Sequence, residues 1–309
     1  MQIKFIKTAG MLLAGSFLCA GAEFRVTPDD GSFQQAAKKW KKGDSIILAP
    51  GTYYKHFYAG GKKDAPCGLT IKAEIPGSAI FRGDRKAPDF QEYAKGIWKA
   101  HWDSIPEAVF EHDTLTIYRF CATLAGVRQN SGAWTYDAES KTLYVRTSDS
   151  ADPARHVLSI GVTPRCGINF YCIPSSSGVR DVLLDGFITT GFYSRRKFPD
   201  QRIPHSQKKV AWGVVINYPM ENVRINNVTA VLNGYGIGFC SGAKNSVIEN
   251  CRAFGNRNPF DRSGGGIGIF DGADNCVIRG NFGSNNKGQD IWLYSGLIKD
   301  TTIFTENQC

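Results

Sequence analysis

The sequence has five histidines and no two cysteines at CxxC spacing. With no His cluster at metal-ligand spacing either, a structural zinc module is excluded. No Ser-His-Asp signature is present, so a triad hydrolase is not expected. After residue 22 no apolar run approaches the roughly 20 residues that cross a bilayer, and no transmembrane segment is expected. Long amphipathic stretches of helical period are scarce as well, which argues against a helical bundle. What the chain does have is 34 glycines. Together these features point to an all-β chain with many turns.

Residues 1–22 read as a secretory signal peptide. Lys4 and Lys7 form the charged start, Met11 to Leu18 the apolar run, and Ala20-Gly21-Ala22 the small-residue cleavage site. The mature chain then begins near Glu23, outside the cytoplasm. Loss of two lysines lowers the formal charge from +9 to +7. A moderately basic exported protein suits an acidic partner such as a uronate or sulfated glycan, and general solubility explains the charge equally well. Nucleic acid is a poorer fit for an exported chain. An oxidising compartment permits disulfides, and Cys166 with Cys172 is one local pairing the spacing allows. Cys251 falls in a column of apolar residues with Phe187 and Val228, which suggests a small buried hydrophobe rather than a nucleophile.

The C-terminal half is repetitive. Five segments place Asn or Asp three residues before Leu or Ile, beginning at Asp181, Asn222, Asn245, Asn275 and Asp300. The spacings are 41, 23, 30 and 25 residues. The short ones match one rung of a three-strand coil, and the long ones need only inserted loops at 194–209 and 256–264. A second ladder runs in step: Gly213-Val-Val-Ile-Asn, Gly236-Ile-Gly-Phe-Cys, Gly266-Ile-Gly-Ile-Phe and Asp290-Ile-Trp-Leu-Tyr. Strand side chains alternate between faces. Val214, Ile237, Ile267 and Ile291 should therefore stack inward, as should Ile216, Phe239, Ile269 and Leu293. One rung cannot bury its own apolar face, so stacked rungs must build the core together.

Near the N-terminus, Phe33 to Trp40 reads as a short helix. Lys42-Gly-Asp-Ser-Ile-Ile-Leu-Ala-Pro-Gly-Thr-Tyr follows, and then Leu69-Thr-Ile-Lys-Ala-Glu-Ile-Pro-Gly-Ser-Ala-Ile-Phe-Arg-Gly-Asp. Over residues 31–84, and again over 179–307, the chain resembles the pectin-lyase-like right-handed parallel β-helix superfamily of polysaccharide lyases and β-helix glycoside hydrolases. The opening is most similar to that of alginate- and chondroitin-type lyases. There a short helix caps the solenoid and a Pro-Gly-Asp segment leads into the first strand; this chain has Lys-Gly-Asp at 42–44. The resemblance implies a right-handed parallel β-helix with an N-terminal capping helix. It implies little about catalytic residues, which differ widely across that superfamily.

Residues 85–165 fit the solenoid poorly. They are rich in Trp, Tyr and acids, and Asp137 to Lys141 reads as a hairpin turn between alternating strands. An inserted small β-subdomain is expected, similar to insertions in some β-helix glycosidases. The expected organisation is a signal at 1–22, a cap and first rungs at 23–84, the insertion at 85–165 and further rungs at 166–309. No recognisable cap follows the fifth repeat. Either the last residues cover that edge themselves, or the chain is a shortened relative of a longer protein.

Applied to the outward face of the second ladder, the strand alternation makes Gly213, Gly236, Gly238, Gly266 and Gly268 a bare floor. Asp290, Trp292 and Tyr294 follow on the next rung. The aromatics suit a stacked sugar ring, and Asp290 suits general acid or base work. A glycosidase needs a second carboxyl at roughly 5 to 9 Å. Asp271 lies one rung back and five positions along, on the order of 17 Å away at about 3.3 Å per residue, so Asp261 is the better partner. Asp271 then serves substrate binding. A lyase would instead use a basic residue, with Arg262 and Lys287 as catalytic candidates and Arg257 binding substrate. The resembling lyases often place Ca²⁺ on the substrate carboxylate, and Asp261, Asp271 and Asp290 offer oxygens for it. Arg195 and Arg196 lie in a basic arm (194–209) suited to an acidic glycan. A glycan-cleaving hydrolase or lyase, a glycan-binding or surface protein without activity, and a structural solenoid with another partner are the three readings at this level, each for a monomer.

Overall fold

The computed structural model describes residues 21–28, 31–60, 67–163, 165–171, 178–194, 211–217, 219–240, 242–257, 265–270, 272–293 and 303–309. The signal segment up to residue 20 and the arm at 195–210 lie outside them, as do Asp261, Arg262, Asp271 and Tyr294.

Three parallel sheets wind around one core. Sheet A runs Glu23–Val26, Ser45–Leu48, Thr70–Ala73, Val179–Asp185, Met220–Asn226, Val247–Glu249, Val277–Arg279 and Ile303–Thr305. Sheet B runs Gly51–Tyr53, Ala79–Arg82, Ile188–Thr190, Thr229–Val231, Arg252–Phe254 and Phe282–Ser284. Sheet C runs Phe57–Gly60, Ile168–Tyr171, Trp212–Asn217, Tyr235–Cys240, Ile267–Phe270 and Ile291–Leu293. The chain visits A, B and C in turn, which is a right-handed parallel β-helix, the hand that parallel crossovers adopt.

The expected columns form. Val214, Ile237, Ile267 and Ile291 are Cα partners on neighbouring strands, as are Ile216, Phe239, Ile269 and Leu293. All but the half-buried Leu293 are buried. In sheet A, Ile46, Ile71, Leu184, Ile225, Ile248 and Ile278 stack in register, each fully buried. Each such side chain contributes about 2 kcal/mol on leaving water, which only stacking supplies. Cys251 is buried beside Val228 in the same core.

The repeated Asn or Asp has a backbone reason. Asp181, Asn222, Asn245 and Asn275 all have positive φ, 52°, 54°, 47° and 51°. Asn and Asp tolerate this left-handed conformation better than other non-glycine residues. Their side chains also bond along the stack, with Asn222 Nδ2 donating to Asp181 Oδ1 and Asn275 Nδ2 to Asn245 Oδ1, both at 2.7 Å.

The capping helix spans Ser32–Lys39. Phe33 and Ala36 enter the core, and the Phe33 ring meets Tyr53, Phe57 and Phe81. The insertion leaves after sheet B strand Ala79–Arg82 and returns at sheet C strand Ile168–Tyr171. It holds two sheets. One is antiparallel and pairs Thr116–Ile117, Ala108–Glu111, Leu158–Gly161 and Asp84–Lys86. The other pairs Arg119–Phe120, Ala133–Asp137, Thr142–Arg146, Ile97–His101 and Gln91–Ala94. The hairpin across Asp137 to Lys141 is present; the short helix Leu124–Gln129 was not foreseen. Val109, Trp134, Leu143, Val145 and Ile160 form the core of the insertion. Phe110 packs with Tyr193 and Leu232 of the solenoid, which docks the insertion onto it.

Candidate functional site at the corner between sheets B and C

The A-to-B turns are short: two residues at 49–50, 186–187, 227–228, 250–251 and 280–281, and five at 74–78. The B-to-C passages are not uniform. They run to 83–167 at the insertion, 191–211 at the basic arm, 232–234, 255–266 and 285–290. The three longest excursions between sheets, 83–167, 191–211 and 255–266, therefore leave the solenoid at one corner, beside the outer face of sheet C, while the longest C-to-A passages, 61–69 and 294–302, are nine residues each.

An asparagine ladder holds this corner. Asn233 N donates to Asn256 Oδ1 at 3.0 Å, and Asn256 N to Asn286 Oδ1 at 2.9 Å. Asn286 N and Nδ2 both donate to Asp290 Oδ1, at 3.0 and 2.7 Å. Each asparagine also donates to a sheet B carbonyl, of Thr189, Ala230 and Ala253 respectively. These bonds satisfy backbone groups that a buried turn would otherwise leave without partners.

The geometry corrects three expectations. Asp290 does not stand outward as a general acid. One carboxylate oxygen terminates the ladder, the ordinary turn-and-cap role of an aspartate at a strand start. Trp292 is no exposed platform: it is 2% exposed and packs in a cluster with Trp212, Val215 and Tyr235. The glycine floor is not bare. A Cβ on Gly268 would lie 2.5 Å from the Trp292 ring, and one on Gly238 would lie 2.4 Å from the Trp212 ring. Gly213, Gly236 and Gly266 instead abut backbone or ladder atoms of the neighbouring rung, and a Cβ on Gly213 would lie 2.4 Å from Thr189 Oγ1. Alternation fails at Trp212, which shares the parity of inward Val214 yet packs with Val215 on the other face and stacks on Tyr235 at 4.5 Å. The register of the ladders was legible, but the indole that fills each glycine gap comes from another rung.

Of the remaining candidates, Lys287 is exposed on the final corner turn, its backbone N bonded to Asn256 O at 3.0 Å. Arg257 lies on the neighbouring turn, its Nη2 on Asn285 Oδ1 at 2.5 Å. The structure thus brings Asp290, Lys287 and Arg257 to one corner. Asp261, Arg262, Asp271, Tyr294, Arg195 and Arg196 fall outside the described residues. Cys172 does too, and no disulfide is present among the described residues.

Sequence reasoning missed two polar knots in and beside the insertion, because their partners come from strands far apart in the chain. Asp84 is fully buried, bonded by Arg82 at 2.7 and 2.8 Å and by Ser159. Its Oδ2 lies 3.1 Å from His112 Nε2, which is also 2.7 Å from Ser159 Oγ. Burial alone would raise the Asp84 pKa, but the bonds from Arg82, His112 and Ser159 outweigh it and hold the carboxyl well below its ordinary range. Ser159 and Asp84 meet the same ring nitrogen. A relay needs them on opposite nitrogens, so this knot joins the insertion to the solenoid rather than forming a triad.

The second knot lies within the insertion. His156 Nδ1 is 2.9 Å from Asp113 Oδ2, and its Nε2 is 3.0 Å from Asp149 Oδ1. Only an imidazolium donates from both nitrogens. Burial alone would lower the His156 pKa; the bonds to Asp113 and Asp149 and the nearby Glu111 outweigh it, and the net shift is upward. Glu111, Asp113 and His156 have ligand atoms within 4.8 Å of one another. They do not suit a metal. Both His156 nitrogens already face carboxylates, of Asp113 and Asp149, and both Glu111 oxygens accept bonds, from Thr114, Ser148 and Tyr118.

No family model matches the chain, and no curated protein matches it. Solved structures do. A structure named only as a glycoside hydrolase superposes with a TM-score of 0.50 at 10% identity, over 86% of this chain and 74% of that one. The chain shares its parallel β-helix fold with that structure. The complex of XylC with xylose matches this β-helix with a TM-score of 0.49 at 12% identity, over 92% of the chain; the chain spans 62% of the length of XylC. The pectate lyase Pel9A matches the β-helix with a TM-score of 0.34 at 14% identity, over 93% of this chain and 77% of that one. No helix among the described residues is long and apolar enough to cross a membrane.

Proposed function

We propose that the protein is a secreted, monomeric carbohydrate-active β-helix protein that cleaves an extracellular polysaccharide at the corner between sheets B and C. One observation carries this reading: the three longest excursions between sheets, the insertion and both long loops, leave at that corner, while the A-to-B turns run to two to five residues and the C-to-A passages to at most nine. A rigid solenoid needs no long loops for its own stability, and loops held by a rigid scaffold are where binding and catalysis concentrate. Residues 1–22 serve as the export signal in this proposal. Arg195, Arg196, Asp261 and Arg262 belong to the loops leaving the corner, and Asp271 and Tyr294 follow strands of sheet C. Together with Arg257 and Lys287 they supply the groups that meet the sugar chain. Asp290 is withdrawn from the chemistry.

The test is incubation of the mature protein with a panel of acidic and neutral polysaccharides, with and without chelator. New reducing ends report cleavage. Near-ultraviolet absorbance of an unsaturated product identifies elimination, and its absence alongside new ends identifies hydrolysis. Binding without new ends would replace the proposal with a glycan-binding protein lacking activity.

A further inference from the structure

The insertion leaves and returns beside the segment Tyr54-Lys55-His56, which crosses from sheet B to sheet C on the first rungs. Phe57 N donates to Gly167 O at 2.7 Å, and Arg165, on the segment by which the insertion returns, acts electrostatically on His56. On the leaving side, Arg85 places its guanidinium 3.9 Å above the Tyr54 ring. Tyr58 projects from the outer face of sheet C, 49% exposed, opposite Asn169 on the adjacent strand. Tyr54, Lys55, His56, Arg85 and Arg165 are also exposed.

The charge balance is one-sided. Asp84, next to Arg85 in sequence, is sealed under Arg82, His112 and Ser159, and among the described residues neither Arg85 nor Arg165 is in an ion pair. Partial desolvation, then the charges of Arg165 and Lys55, lower the pKa of His56. The shift favours the neutral imidazole, a hydrogen-bonding group between two cations. Exposed tyrosines beside fixed cations match a pyranose ring with an anionic substituent: the ring's C–H face lies on the phenol, and the anion takes charge-assisted bonds from the arginines. The Arg85 guanidinium, already lying over Tyr54, loses little freedom on binding.

We infer that Tyr54, Lys55, His56, Tyr58, Arg85 and Arg165 form a binding site for an anionic sugar unit of a polysaccharide, carrying a carboxylate or a sulfate ester. This rests on the reading of the B-to-C corner as the carbohydrate site, and it names the substrate class. Nucleobases also stack on exposed aromatics in basic surroundings, so a single-stranded DNA arm belongs in the test.

The experiment is affinity electrophoresis of the full chain through gels holding polygalacturonate, a sulfated glycan, a neutral xylan or single-stranded DNA. Wild type is compared with Arg85→Ala/Arg165→Ala and with Tyr58→Ala, and thermal unfolding of each serves as the folding control. The inference expects retardation by polygalacturonate, the sulfated glycan or both, and whichever acts identifies the anion. It expects the double variant to lose about tenfold in affinity with an unchanged unfolding temperature. Retardation that persists at full strength in both folded variants would overturn it, as would binding confined to xylan, and either leaves the corner reading intact. Retardation by DNA alone would overturn it in favour of a nucleic-acid surface. Failure to bind or cleave any glycan would remove the corner reading as well.

Discussion

Asp290 Oδ1 receives both hydrogens that Asn286 directs toward it, from the backbone N at 3.0 Å and from Nδ2 at 2.7 Å. This pair ends the asparagine ladder that carries the B-to-C corner. Replacing Asp290 with alanine leaves two buried-side donors without an acceptor, a loss of about 1–3 kcal/mol. Asp290→Asn keeps the accepting oxygen and should restore most of that stability. Denaturant unfolding of the two variants measures it; equal losses would mean that the oxygen is not the stabilising feature.

The second expectation concerns pH. His156 is held as an imidazolium between Asp113 and Asp149, and its folded pKa lies above the ordinary 6.5. The folded state therefore binds this proton more tightly than the unfolded chain. Its stabilising contribution is complete below about 6.5 and falls away as pH rises through the folded value. Thermal unfolding of wild type and His156→Gln between pH 5 and 9 should converge toward the alkaline end. A gap that stays constant over that range would contradict the assignment.

Gly268 and Trp292 form a third test. A Cβ at Gly268 has only 2.5 Å to the indole, so Gly268→Ala must displace the ring or the strand. Trp292→Ala removes a large buried aromatic, at about 3–5 kcal/mol. The double variant should cost less than the sum of the two single ones, because the added methyl then occupies space the ring vacated. Strict additivity in unfolding measurements would show that the two sites do not touch.

Thiol reactivity gives a fourth. Burial first, with smaller backbone and charge effects, pushes the Cys251 pKa up to about 12, whereas Cys309 is exposed. In native protein an alkylating reagent should modify Cys309 readily and Cys251 only after unfolding, as mass mapping of the labelled peptides would show. Rapid native labelling of Cys251 would place it outside the core.

The solenoid was legible because its signals are local and repeat. An αL-tolerant Asn or Asp at fixed distance from an inward Ile, as at Asn245 with Ile248, states both the kink within sheet A and the column. The site was less legible because its contacts join distant segments. Trp212 lies over Gly238, which alternation along one strand cannot reveal. Asp84, His112 and Ser159 meet only once the insertion has folded back, and nothing in their spacing marks it. Asp290 was misassigned for a related reason: its position at a strand start was visible, but the Asn286 amide that consumes it lies across a turn.

The most direct test of the account is to map where a sugar chain lies. Hydroxyl-radical footprinting of the protein with oligogalacturonate, and separately with xylo-oligosaccharide, reads side-chain protection residue by residue. The account predicts that a bound sugar protects Tyr54, Tyr58 and segments at the B-to-C corner such as Arg257 and Lys287. It also predicts that the opposite side of sheet B, where Phe282 and Arg252 line an open hollow of about 670 Å³, stays unchanged. Protection centred on Phe282 with the B-to-C corner unaltered, or no protection by either sugar, would contradict it.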